Sequence, residues 1–287
     1  MKRAVIAAAV LSTLTACTQI DTGNIGVEST LGQVKKETMP PGVYFTMFKT
    51  VDEFTAAIKK ITEAEKANGM YGTGLQAKSG HYSLNCDWTQ VVWNAGGSIF
   101  GADKKFKGND EAGVAGLALY QEWVKNAPPE SLNSTWDGQF QMMASGQCAL
   151  VESWDEFFPG LDAADSKVQG LWMPAKPFSG KPLRAKSEVG FGEVPNRAHQ
   201  GGSVLGLSKY SKNIDAAWIF MQWACSKDVM TRCTLIGGFA PMRLSSFTDP
   251  RVNEKAKVGP GTTRHLEMVK WIIDNDMASE PDMPLWA

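Results

Sequence analysis

Apolar positions along the chain recur with two spacings, and the switching between them is its main structural signal. Between Val51 and Ala67, Phe54, Ile58 and Ile61 recur at helical intervals with charges between them, and Asn68-Gly69 closes the segment. Tyr71 to Leu75 is a short glycine-rich strand candidate. Gln76 to Asp87 is polar and reads as a loop, and Trp88 to Ala95 returns to helix before Gly96-Gly97. Asp110 to Lys125 is amphipathic and is stopped by Ala127-Pro128-Pro129. Thr135 can cap a helix carrying Phe140, Met142 and Met143, which Gly146 ends in the left-handed conformation. Cys148 to Val151 is an unbroken apolar run between turn signals, as a buried parallel strand would be. Ser153 then restarts a helix.

Val168 to Met173 is strand-like and enters a Pro/Gly/Lys-rich segment, Pro174 to Arg184, suited to a crossing between lobes. Val204 to Leu207 reads as a strand entered through Gly201-Gly202. Asn213 caps a helix from Asp215 to Cys225, whose Ala217, Trp218, Phe220, Met221 and Trp223 form an apolar face. Gly237-Gly238-Phe239-Ala240-Pro241 breaks the next helix, and Thr262 to Met277 is helical again. Strands alternate with helices and no internal repeat is visible, so the class is α/β.

The N-terminal part differs. Lys2 and Arg3 precede an apolar run from Ala4 to Ala16, too short to span a bilayer but right for a signal-peptide core. Leu14-Thr15-Ala16-Cys17 is similar to a bacterial lipobox, which predicts residues 1–17 as a lipoprotein signal peptide with lipid on Cys17. A plain leader cleaved near Ala16 is the alternative. Residues 18–50 read as extended structure with turns at Asp21-Thr22-Gly23-Asn24 and Pro40-Pro41-Gly42.

Composition narrows the class. With 43% hydrophobic and 21% charged residues in 287, the chain is an ordinary globular protein, and its formal charge of −1 gives no case for nucleic acid. Export would leave Cys86, Cys148, Cys225 and Cys233 in an oxidising compartment, where three pairings are open. Cys225 and Cys233 would lie too far apart on a continuous helix to bridge. No Cys/His spacing suggests a metal, His81, His199 and His265 are scattered, and no cofactor is expected.

Candidate chemistry gathers after Cys148–Val151, because in open α/β sheets ligands bind beyond the carboxyl ends of the strands. Trp154 and Asp155 stand there. An indole face and a carboxylate suit a polyol or sugar, whose C–H faces stack and whose hydroxyls donate. A tryptophan packed in the core and an aspartate capping its helix account for the same residues.

Five blocks give a resemblance in register across residues 51–287: VDEFTAAIKKIT, VVWNAGGSIFGADKKFKGNDEAGVAGLALYQEWVK, FQMMASGQCALVESWDEF, GGSVLGLSKYSKNIDAAWIFMQWACS and GGFAPMRLSSF. They resemble the extracellular solute-binding proteins of ABC importers, of the sugar and polyol type. The resemblance implies a periplasmic-binding-protein-like type II fold, with a C-terminal lobe plus an incomplete N-terminal lobe. It implies a sugar or polyol held between the lobes, permease subunits of an importer as partners, no covalent chemistry, and a periplasmic or cell-envelope location. In these families the Ser-Trp aromatic, the GG loop and the Pro-x-Arg turn commonly face the cleft. Carried onto this sequence, that points to Trp154, Gly201, Gly202, Ser203 and Arg243, with Asp155 beside the first and Trp136 at the mouth.

Residues 18–50 instead resemble the opening of prohibitin-like (SPFH-domain) lipoproteins, through IDTGNIGVESTLGQVKKETMPPGVYFTMFKTVDEF. They stand where a family member carries the first strands of its first lobe, so solute binding by this chain alone is expected to be weak or absent. A membrane-scaffold lipoprotein is the alternative function. An enzyme using Asp155 with Glu156, or Glu152 with Asp155, is a further one, without a second carboxylate block or a His/Ser pairing to support it.

Overall fold

The computed structural model describes residues 48, 50–101, 103–172, 174–175, 198–202, 204–255, 263, 265–275 and 277–278. The expected leader, Cys17, most of the 18–50 segment and Ser203 lie outside these residues.

Helix α1, Val51–Glu65, is capped by the Thr50 hydroxyl, which accepts from the Glu53 backbone N–H. It buries Val51, Phe54 and Ile58. Strand β1, Tyr71–Thr73, pairs in parallel with β2, Cys148–Leu150, in the register Tyr71 to Cys148 and Thr73 to Leu150. Between them come α2 (Tyr82–Asn94), α3 (Glu111–Lys125), a 3-10 turn (Pro129–Asn133) and α4 (Trp136–Ala144). After β2 follow a 3-10 turn at Asp155–Phe157 and α5, Phe158–Leu161. One core joins α1, α2, α3 and the β1 loop through Phe54, Ile58, Leu75, Val91, Tyr120 and Trp123. The Phe54 and Trp123 rings meet edge-on at 5.0 Å, and Trp123 Nε1 donates to Thr55 Oγ1 at 2.9 Å.

A second part holds β3 (Ala198–His199), α6 (Ile214–Ala224), α7 (Lys227–Gly237), α8 (Leu244–Phe247), α9 (Pro250–Lys255), α10 (Leu266–Asn275) and β4 (Met277–Ala278). β3 and β4 are parallel, Ala198 opposite Met277, so two crossings far apart in sequence run side by side. Phe247, Val252, Leu266 and Val269 form a smaller core there.

Several expectations need correction. Helix α2 begins at Tyr82, not Trp88, because the polar residues read as a loop face a buried network and the His81 ring caps the helix through the Ser83 N–H. Ser153 does not start a helix; its hydroxyl is taken by Gln139 Oε1 at 2.9 Å. Val168–Trp172 is a turn and not a strand, since Asp162 Oδ1 captures both the Gly170 N–H at 3.0 Å and Trp172 Nε1 at 2.8 Å. Val204 to Leu207 is no strand either: it has no pairing neighbour among the described residues, and Val204 is 94% exposed. Asn213 precedes α6 without a side-chain capping bond, and so does Thr135 before α4. Gly146 does end α4 at φ 72°. Cys86, Cys148, Cys225 and Cys233 are all free thiols; Cys225 lies in the turn that ends α6 and Cys233 on α7, so no continuous helix joins them.

Candidate functional site

Two parallel strands deliver their following loops to one edge. Here those loops are Gly74–Lys78 after β1 and Val151–Asp155 after β2, and one amide ties them together. Gln139 Nε2 donates to the carbonyls of Gly74 and Glu152, both at 2.9 Å. The 3-10 turn anchors the first loop from beneath: Ala77 N–H reaches the Ser131 carbonyl at 3.0 Å, and Lys78 N–H the Ser134 carbonyl at 3.1 Å.

Trp154 stands half-buried on this rim. Its Nε1 donates to Gln76 Oε1 at 3.3 Å, and the His199 ring meets it edge-on at 5.4 Å. A Cβ on Gly201 would lie 2.3 Å from Trp154 Cζ3, so the chain after β3 reaches the indole only because residue 201 has no side chain. Trp136, first residue of α4, pairs edge-on with His81 at 4.9 Å on the same side of the sheet.

Gln76 links the indole to a half-buried acid pair, Asp87 and Glu152. Asp87, from α2, accepts from the Gln76 backbone N–H at 3.1 Å, from Gln76 Nε2 at 2.6 Å and from the Tyr120 hydroxyl at 3.2 Å. Burial raises its carboxyl to about 6 against these stabilising bonds. Glu152 is pushed further, to about 8, by burial and then by the charge on Asp87, with the Gln90 amide opposing. Gln90 also accepts the His199 backbone N–H at 3.2 Å, which links β3 to the same network. The two carboxyls share a void of about 10 Å³, room for about one water, lined also by Phe54, Thr73, Leu75, Val91, Tyr120 and Trp123. Burial and the Asp87 charge push the Tyr120 hydroxyl well up, so it stays a donor.

The sequence-derived candidates divide on this geometry. Trp154 and Gly201 are in contact, and Trp136 lies on the same rim beside His81. Asp155 has other partners: its carboxyl is raised by burial and by Glu156, against bonds from its own backbone and that of Ala240. Gly202 has open space where a side chain would be. Arg243 is not brought to the indole by any contact of its own; its Nε donates to the Cys225 carbonyl at 2.7 Å, at the end of α6. Glu152 is coupled to the charge on Asp87 and Asp155 to that on Glu156, and not to each other. Gln76 and Asp87 were missed because a polar run reads as a loop, and Gln90 because a single amide on a helix reads as solvated; the one available signal was Asp87 four residues before Val91, on the helix face that enters the core.

Comparison with known proteins agrees with this architecture. The family described as bacterial extracellular solute-binding protein matches residues 28–260, so the match begins inside the segment that resembles prohibitin-like lipoproteins. A probable amino-acid ABC transporter periplasmic-binding protein, y4oP of Sinorhizobium fredii, is 26% identical over 76% of this chain and 46% of its own length. Among solved structures, maltose-bound MalE3 of T. maritima superposes with a TM-score of 0.70 at 19% identity, over 84% of this chain and 57% of that one. A ribitol-bound ABC-transporter solute-binding protein from Agrobacterium radiobacter gives 0.65 at 27% identity, over 80% of this chain and 54% of that one. The chain thus spans about half the length of the relatives it matches. The neighbours carry the α/β periplasmic-binding-protein fold and are binding proteins. On the match to residues 28–260, this chain belongs to the family of bacterial extracellular solute-binding proteins.

Proposed function

We propose that the chain supplies a sugar- or polyol-facing part of the receptor of an ABC importer, with the rim around Trp154 as its solute contact. The observation that carries this is a half-buried indole at the joined ends of two parallel strands, approached by the backbone at Gly201. C–H faces of a polyol stack on such a ring, and its hydroxyls match amide and carboxyl acceptors nearby. Trp154 is the platform and Gln76 fixes it. The backbone at Gly201 approaches from the second part of the chain, Gly202 and Ser203 follow it in the proposed contact, Trp136 with His81 bounds the mouth, and Asp155 and Arg243 are assigned to the side of the solute away from the indole. The ribitol-bound relative, at 27% identity, supports the polyol class.

An amino-acid solute is the second reading, favoured by the name of the Sinorhizobium relative. It needs a carboxylate for the ammonium group, and Asp155 is the residue we assign to it. Permease subunits are the partners in either case. Residues 1–17 are taken as the export leader, with lipid on Cys17 as the envelope anchor. Among the described residues no helix is long and apolar enough to cross a membrane.

Saturation-transfer NMR and calorimetry with ribitol, mannitol and maltose against a panel of amino acids test the assignment. Expected is polyol binding weaker than micromolar, because only about half the length of the relatives is present, and a further loss of about tenfold or more in Trp154→Ala. Preference for an amino acid, or polyol affinity indifferent to Trp154→Ala, overturns it.

A further inference from the structure

The way the Trp154 indole is held stands on contacts alone; its link to binding rests on the proposed function, in which this ring faces a solute. A carboxylate offers only acceptors, so Asp87 forces Gln76 to turn its amide nitrogen inward, at 2.6 Å. The amide oxygen is then left outward, facing Trp154 Nε1 at 3.3 Å. An indole N–H can only donate, so this is the one amide orientation that satisfies both neighbours. The Gln76 backbone N–H, also on Asp87, and the Tyr120 hydroxyl fix the carboxylate from two further sides.

We propose that Gln76 and Asp87 are positioning residues that hold the Trp154 indole at the angle a solute needs, and that a proton on Asp87 releases it. Asp87 Oδ2 keeps the Gln76 backbone N–H, which cannot reverse, so the proton goes on Oδ1 and presents an O–H donor to the Gln76 amide. The Gln76 amide then reverses to accept it and turns its NH₂ toward the indole N–H, setting donor against donor. Trp154 keeps the packing of Gly201 and the His199 ring but loses the bond that orients it.

The groups facing Asp87 set where this happens. Tyr120 from α3 stays protonated, Glu152 beyond β2 adds like charge when ionised, and the His199 ring from β3 favours the charged form. From α1 and α3 the cavity wall is apolar, through Phe54 and Trp123. Glu152, at about 8, holds its proton through neutrality, so the charge of the pair sits on Asp87, whose own value of about 6 puts the change in mild acid.

The test needs no solute. In the full chain labelled with ¹⁵N-indole, the Trp154 Nε1–H resonance, identified by its loss in Trp154→Phe, is followed between about pH 5 and about pH 8. Expected is a titration centred near the Asp87 value of about 6. It should vanish in Asp87→Asn and in Gln76→Met, and persist in His199→Phe, which removes the other titratable ring against the indole. If Asp87→Asn does not fold, Gln76→Met decides alone. A resonance that does not move, or a titration lost with His199 and kept without Gln76, overturns the proposal. With ribitol as probe, affinity should fall by about tenfold across that range and become pH-independent in Asp87→Asn. Binding that ignores pH while the resonance titrates overturns the release. Absence of ribitol binding would count against the proposed function only, since the indole titration still decides how Trp154 is held.

Discussion

Helices α2 and α6 make an instructive pair. Both are short and rich in tryptophan, yet α2 places Val91, Val92 and Trp93 at 1% exposure or less, while α6 leaves Trp218 at 53% and Trp223 at 60%. The difference is not hydrophobicity, since α6 is the more apolar sequence of the two. It is the layer available to cover each face. Helix α3 crosses α2 closely enough that a Cβ on Gly116 would lie 3.0 Å from the Val92 backbone, whereas α6 buries no residue at all. An apolar face is therefore a demand for a partner, and burial follows only where the fold provides one.

Three measurements probe that contrast. The largest effect is expected for Trp93→Ala, a loss of about 3–5 kcal/mol in urea unfolding, because the ring is fully buried and stacked on His199 at 5.9 Å. A loss below about 1 kcal/mol would mean that this face is not the packed one. Next comes pH. The Glu152 carboxyl stands at about 8 in the folded chain against an ordinary value of 4.5, so the neutral form is the one the fold favours. Its contribution is full below the unfolded value and is lost as pH rises through about 8. Glu152→Gln should thus gain on the native chain over that interval, and denaturation series at several pH values will show parallel curves if it does not. The smallest effect belongs to Trp218→Gln: stability within about 0.5 kcal/mol of the parent, by the same unfolding measurement, with less self-association on gel filtration.

The same contrast explains what could be read from the chain. Helices whose core stripe is flanked by clear end signals, Val51–Glu65 and Glu111–Lys125, were legible almost to the residue because Asn68-Gly69 and Pro128-Pro129 mark their ends. Trp154 was legible because a glycine and an apolar run announce the strand before it. Elements whose shape depends on a distant partner were not. Val204–Leu207 has strand composition and no strand beside it among the described residues, and Val168–Trp172 bends around Asp162, a carboxylate no local pattern reveals. Polar residues turned into the interior, as Gln76 and Asp87 are, look the same in a sequence as residues turned toward water. The bond from Arg243 Nε to the Cys225 carbonyl is equally invisible in the sequence, since its partner lies eighteen residues away.

Gln139 carries one more consequence. Because a single amide clasps the Gly74 and Glu152 carbonyls, the gap between the two loops cannot widen without breaking at least one of these bonds. Those loops are a rigid jaw, and give on this face must come from the opposing stretch that passes over the indole at Gly201.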